Sequence, residues 1–480
     1  MPTSIRQSPS TTSSTTGSRT ARRLRRGALV ACVAAGALTA ACGNLLEVDN
    51  PNNVIDTALQ DPSAATPLAT GAVGLSIRAL NAMLDVYGTA SDELDFVGSQ
   101  DGFFQLDVGN VSSPVLQFSD NGYQQVATAR WTGDEAIRRL RGFDSTARLQ
   151  NRNDLATTYL YTAITYVVIG DMFDDFSIAS DRAEGAPPLG EANMAQVYDT
   201  AVAHLDRGLA VATATNNGAL RTQILGMRAR AKHARAVWVM LNPPVPQGDT
   251  PVPVASPLVN DAGASADATA ALALMGSTDY ALTVTPTSTG TAGNNLGNDL
   301  NSRREMRIGQ AYATPDPTAQ GQNRTLVASG QPVIALNDPV SGQPDLALRA
   351  RVAALINGGN FLPHIVVSAR EMHLILAEAA LAQGNLPEFT SRVNAVRAFT
   401  AGLPPYTGAG PAPQALLAHM RRVNLFMQGR RLADMYRFGQ RDPRWQQTSF
   451  SYTRRGCFFP ITQTERQSNL NQIPRPLCEG

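Results

Sequence analysis

Three acids fall close together after an apolar run: Asp171, Asp174 and Asp175. Such a group could offer oxygens to Ca²⁺ or a pair of carboxylates to acid–base chemistry. A Ca²⁺ site takes six or more oxygens, and a glycosidase needs two carboxyls held ~5–9 Å apart in a cleft. Spacing along the chain supplies neither, so a solvated helix end is the expectation for these three. The histidines, His204, His233, His364, His373 and His419, are scattered, and His204, His233 and His373 fall in helical stretches where a packed or surface imidazole is expected. There is no His-Glu-x-x-His, no Gly-x-Ser-x-Gly and no Gly-rich phosphate loop. The chain therefore reads as a non-enzyme with no catalytic residues, no metal and no cofactor.

The cysteines point to chemistry of another kind. Arg22-Arg23-Leu24-Arg25-Arg26 precedes an uncharged stretch from Gly27 to Ala41, ending Leu38-Thr39-Ala40-Ala41-Cys42. A basic segment, a short apolar segment and small residues form a secretory signal over 1–41. A cysteine directly after them resembles a bacterial lipobox, in which Cys42 is acylated and becomes the first mature residue; Thr39 stands where that motif has Leu. Cys32 would leave an apolar segment too short. Anchoring needs more than one acyl chain, so palmitate is expected. Cys457 and Cys478 form an even pair in the tail. A disulfide between them would close a loop of ~20 residues and contribute ~3 kcal/mol; two free buried thiols are the alternative.

The 480 residues carry 40 basic and 39 acidic side chains, a net of +1, and Lys232 is the only lysine. Without 1–41 the balance is 34 basic to 39 acidic, a net of −5. Such a balance excludes a nucleic-acid binder working by bulk charge. No apolar run of ~20 residues follows the N-terminus, which excludes a multispanning membrane protein. At 43% hydrophobic the chain can bury a core.

The elements that must position any site are helices. Apolar spacing predicts helices over Ala64 to Tyr87, Tyr123 to Leu140, Leu155 to Ile169 (capped by Asn153 or Asp154), Ala195 to Ala212 and Leu220 to Leu241. The last has an arginine face at Arg228, Arg230 and Arg235. Residues 88–120 read as a long loop. Residues 243–345 are rich in Pro-Val, Ser-Thr and Gly-Asn, with one further helix at Ala264 to Met275. Helices resume at His364 to Gln383, Pro387 to Thr400 and Pro413 to Tyr436, with Gly384-Asn385 as a stop. The fold class is mainly α: a single large domain over 42–480. It has a tetratricopeptide-like helical scaffold over about 60–242 and 364–440, a loop-rich insertion over about 243–363 and an irregular tail over 442–480.

Three segments stand out: Arg370-Glu371-Met372-His373-Leu374-Ile375-Leu376-Ala377-Glu378-Ala379, the stretch Arg421 to Gly439 with Gly429-Arg430-Arg431 and Asp434, and the closing Phe459-Pro460-Ile461-Thr462 with Glu465, Asn469 and Gln472. Together they resemble the SusD/RagB family of outer-membrane nutrient-binding lipoproteins. Leu45 to Pro51 and Leu160 to Phe176 also fit. The family's acids become Asn424 and Gln428, and its Trp becomes Phe438. Arg431 and Asp434 are read as a same-face i,i+3 pair of scaffold residues.

The resemblance implies a lipid-anchored protein on the outer membrane, facing outside, over a SusC-like TonB-dependent barrel. It would capture an oligosaccharide or a peptide and deliver it, breaking no bond. It places the ligand face on loops, where Phe103, Phe104, Gln105, Asp95, Asp101 and Trp131 are the ligand-binding candidates. The rival reading is a tetratricopeptide-like adaptor lipoprotein that binds a protein partner and no small molecule.

Overall fold

The computed structural model describes residues 58–113, 116–180, 185–242, 254–286, 295–318 and 324–471. The contacts separate Met1–Leu59 from Gln60–Gly480, and the second unit is the one described below. The signal segment, Cys42, Leu45 to Pro51, Gln472 and Cys478 lie outside the described residues.

Small side chains allow the first helices to approach closely. Helix α1 (Ala65–Ala90) buries Ala65, Ala69, Ala72, Ser76, Ala79 and Met83 at three- and four-residue spacing. It packs against α3 (Gln117–Ser145) and α4 (Arg152–Met172). A Cβ on Gly133 of α3 would stand 2.5 Å from Thr162 Oγ1 of α4, so only glycine fits at that crossing. Helices α5 (Ala195–Ala214) and α6 (Gly218–Leu241) follow as an antiparallel pair, and Asn217 caps α6 through Leu220 N at 3.0 Å. The cap of α4 is Asn151, not Asn153 or Asp154, because its carbonyl oxygen accepts from Asn153 N.

The expected loop over 88–120 is more ordered than the sequence suggests. It contains strand β1 (Leu94–Phe96) and α2 (Asp101–Asp107), the latter formed because Phe103 and Leu106, three residues apart, are both buried. Past α6 come α7 (Ala262–Met275), β2 (Ala281–Val284), β3 (Met306–Ile308), the hairpin β4 (Val327–Ala328) and β5 (Gln331–Pro332), and α8 (Leu346–Asn357). β1 pairs antiparallel with β3, Asp95 opposite Arg307, so the loop before α3 is sewn to the insertion.

Residues 364–368 are not helical as expected. Ile365-Val366-Val367 is a β-branched run that forms β6 (His364–Ser368), antiparallel to β2. The helix α9 (Ala369–Ala382) starts only where Ser368 Oγ accepts from Glu371 N. Gly384, at φ +72°, stops it before α10 (Leu386–Ala398). The expected helix from Pro413 to Tyr436 is two, α11 (Pro413–Asn424) and α12 (Arg431–Arg437), since Met427 (φ +55°) and Gly429 (φ +73°) turn the chain between them. The tail holds two short helices, α13 (Phe450–Thr453) and α14 (Gln463–Ser468). A second apolar cluster around Phe389, Val393, Leu416 and Leu417 joins α10 and α11 to α9, apart from the main core.

Guanidinium–carboxylate pairs fasten these layers from within. Glu378 of α9, fully buried, accepts from Arg437 of α12, from His233 Nε2 of α6 at 2.9 Å and from Val259 N at 2.8 Å. Arg437 Nε also donates to Asp434 Oδ1 at 2.8 Å, and Asp434 Oδ2 accepts from Arg421 Nε of α11 at 2.9 Å. Arg431 does not pair with Asp434: it grips both oxygens of Asp92 at 2.7 Å, linking α12 to the loop after α1. Arg430 pairs with Glu371 at 2.8 Å, and Arg230 with Asp171 at 2.7 Å. On the rim of the bundle Arg228 and Lys232 of α6 share Asp267 of α7 at 2.5 and 2.7 Å. The three acids near the end of α4 are therefore not solvated. Asp171 and Asp175 are bonded inside the fold, and Asp174 is 1% exposed with no partner on either oxygen among the described residues, so burial pushes its carboxyl well above the usual range.

Burial alone would raise Glu378, but Arg437 and His233 outweigh it and hold the carboxyl well below its ordinary value. Asp92 is likewise held at about 2 by Arg431 and Arg422 against burial. Its neighbour Glu93, whose buried carboxylate accepts from Met427 N and has no other partner among the described residues, is pushed up by burial to about 8.

Removing one member of a buried pair strands the other. Arg437→Met, which leaves Glu378 and Asp434 short of a cation, is expected to cost ~3–5 kcal/mol in urea unfolding; a loss under ~1 kcal/mol would show the network to be dispensable. Glu93 works in the opposite direction with pH. A raised acid favours the fold below the unfolded carboxyl value and loses that benefit as pH rises towards about 8. Glu93→Gln keeps the acceptor for Met427 N, so between pH 5 and 8 the variant should lose at least ~1 kcal/mol less stability than the parent; parallel pH profiles would refute the assignment.

Candidate functional site

The β1–β3 ribbon is held by charge beneath it. Arg307 Nε donates to Asp95 Oδ2 at 2.8 Å, and Gln310 N reaches the same oxygen at 3.2 Å. Arg444 Nε donates to Asp107 Oδ2 at 2.8 Å. Burial pushes Asp107 up to about 6 despite Arg444, and Asp442 up to about 7, with Asp92, Asp95 and Asp107 adding repulsion. A floor so tightly bonded keeps the ribbon rigid.

Two open clefts lie in this region, one along α2, which packs on β1, and one that reaches β3 itself through Met306 and Arg307. The first, about 510 Å³, lies along α2 and is lined by Asp101, Gln105, Asn110, Gln117 and Phe450. Gln105 ties the rim together, donating to Asp101 Oδ1 at 3.3 Å and accepting from Asn110 Nδ2 at 2.8 Å. The second, about 460 Å³, lies beside β3 and is lined by Asn301, Arg304, Arg324, Val327 and Asn357. Arg304 sits at φ +60°, a left-handed conformation that costs a side chain of this size ~1–3 kcal/mol. Asn301 fixes the adjoining wall, donating to Leu355 O at 2.9 Å and Gly359 O at 2.7 Å. Exposed apolar groups include Val327 in the second cleft, and Phe104, 45% exposed, adjoins Gln105 of the first along α2.

Of the six residues singled out in the sequence, Asp101 and Gln105 line the first cleft and Phe104 stands exposed next to them. Phe103 is buried, stacked on Phe118 with centroids 3.8 Å apart and on Phe96 at 5.5 Å. Asp95 is buried beneath Arg307. Trp131 lines neither cleft, and its indole N–H donates to Ser180 O at 3.0 Å. Asn110, Gln117, Asn301, Arg304 and Arg324 were not singled out. Asn301 and its neighbours carried one signal, the Gly-Asn texture of 293–301; the strained φ of Arg304 carries none.

Elsewhere Asp338, Asp345 and His419 bring ligand atoms within 4.8 Å of one another. Asp338 is engaged by both arms of Arg397, and Asp345 caps α8 and accepts from His419, so these groups satisfy one another without a cation. No helix among the described residues is long and apolar enough to cross a membrane. Cys457 is buried, and its expected partner Cys478 is outside the described residues.

No family model matches the sequence, and no curated protein matches it. Solved structures do. A SusD superfamily protein from Bacteroides vulgatus ATCC 8482 superposes with a TM-score of 0.58 at 12% identity, covering 87% of this chain and 99% of that one. One from Bacteroides thetaiotaomicron VPI-5482 gives 0.55 at 14% identity, covering 88% and 99%. Another Bacteroides vulgatus protein, whose name proposes sugar binding, gives 0.52 at 12% identity, covering 86% and 97%. At such identities the path of the chain is shared rather than its residues, and this protein has the fold of the SusD superfamily.

Proposed function

We propose that this chain is a nutrient-binding lipoprotein of the cell surface, anchored through Cys42, that captures an oligosaccharide or peptide and delivers it to a TonB-dependent barrel in the outer membrane. The observation that carries the reading is the pair of clefts, one along α2 and one beside β3. Their walls offer side-chain amides, guanidinium groups and the half-buried phenyl ring of Phe450, with the exposed ring of Phe104 adjoining Gln105 in sequence. Amides and guanidiniums satisfy hydroxyls and peptide carbonyls, while aromatic faces receive the apolar face of a sugar ring. Of the residues lining the two clefts, Asp101 alone is a carboxylate, which supports holding a glycan rather than hydrolysing it. The fold supports the reading, as does the name of the sugar-binding neighbour. A disulfide between Cys457 and Cys478 belongs to the same proposal, as a clasp suited to an oxidising compartment.

Two measurements test it. In calorimetric titrations against a panel of oligosaccharides and peptides, the paired change Arg304→Ala and Arg324→Ala should weaken the best ligand at least about tenfold, a loss consistent with two charge-assisted contacts. Unchanged affinity would move the ligand away from the second cleft. In detergent extracts, tagged protein should co-purify with a TonB-dependent barrel, and Cys42→Ser should leave the membrane fraction. Recovery of a soluble periplasmic partner in place of the barrel would favour an adaptor.

A further inference from the structure

A third groove, about 730 Å³, runs between α3, α4 and α5, and it shares no lining residue with either cleft. We propose that it is a binding site for an oxyanion, the carboxylate or phosphate of a hydrophilic ligand, held by Arg141 and Arg207 over His204.

The charges in the groove do not cancel locally. Asp144 is already gripped by Arg152, which lies outside the groove lining, at 2.7 and 2.9 Å. Arg138 holds Glu135 at 2.7 and 2.6 Å. Asp134 accepts from the Tyr166 hydroxyl at 2.7 Å and lies 3.5 Å from Arg130. Arg141 and Arg207 are left exposed, with no hydrogen bond or ion pair among the described residues. They approach from opposite walls, α3 and α5, and both act electrostatically on the hydroxyl of Tyr159 in the floor. Two guanidiniums lining one groove offer paired N–H donors and positive charge suited to planar carboxylate or tetrahedral phosphate oxygens.

The second observation is His204. Its imidazole is nine-tenths buried, packed between Tyr159 and Tyr166 with centroids at 5.8 and 5.5 Å, and it lines the groove. Neither ring nitrogen has a hydrogen-bond partner; Nε2 lies 3.4 Å from Asp134 Oδ1 but without the alignment of a bond. An imidazole left unbonded at such depth is costly unless something entering the groove supplies the acceptor. An oxyanion does so, and the volume is that of a small-molecule site.

The test is calorimetric titration of the full chain with sodium phosphate, with glucuronate and with neutral glucose at low ionic strength. Phosphate, glucuronate or both should bind while glucose does not, and 0.5 M salt should weaken the binding, since exposed charges are then screened within ~4 Å. The paired change Arg141→Gln and Arg207→Gln, both exposed, with folding checked by circular dichroism, should lower affinity at least about tenfold. His204→Gln should weaken it several-fold. Arg392→Gln, a charge change at a half-buried arginine paired with Glu388 on α10, and the Arg304/Arg324 pair should leave it unchanged, which separates this site from the proposed nutrient clefts. Equal affinity in the Arg141/Arg207 variant, or no heat with either anion, overturns the proposal.

Discussion

Everything in this fold hangs on carboxylates that cannot reach water. Glu378 sits where α6, α9 and α12 meet, and it is satisfied only while Arg437, His233 and the Val259 amide all remain in position. Arg437 in turn shares Asp434 with Arg421, so α11 is held by the same charges. Asp92 extends the chain of pairs to the loop that leads into β1, through Arg431, Arg422 and the Tyr312 hydroxyl. Replacing such groups by hydrocarbon is often neutral or favourable for stability; their value here is geometric. They permit one register between the helix pairs and the insertion, and with it one shape for the β1–β3 ribbon.

That ribbon shows how a helical scaffold acquires a binding face. The long helices bury their apolar stripes against one another. The loop after α1 and the insertion after α7 meet as two short strands; β3 forms part of the wall of one cleft, and α2, carried by the same loop as β1, lines the other. Because Asp95 and Asp107 are locked to Arg307 and Arg444 underneath, variation in the wall residues can change without moving the floor.

The helices were legible where local and tertiary preferences agree. The apolar run of α4 and the Gly384-Asn385 stop needed nothing beyond their own residues. The sequence misled where a local pattern was overridden or ambiguous. Ile365-Val366-Val367 continues a helical pattern into α9 but pairs with β2, and the turn at Met427–Gly429 is concealed by good helix formers on both sides. Asp171, Asp174 and Asp175 look like a solvated helix end because nothing in one dimension announces Arg230, 59 residues beyond Asp171. The site was half visible for the same reason. Asp101 and Gln105 sit on one short helix and share a cleft, whereas Phe103, between them, turns inward to Phe118. The second cleft depends on a backbone conformation at Arg304 that residue type does not reveal.

A final consequence follows from the choice of cation. Every basic group in the buried network is a guanidinium or imidazole, and the sole lysine, Lys232, stands on the rim of the bundle beside Asp267. Amine-directed reagents therefore find a single side chain, on α6, remote in sequence from both the cleft loops and the paired arginines of α12. Among side chains, a fluorophore or surface tether attached by ordinary amine chemistry would take this one position, with every guanidinium left as it was.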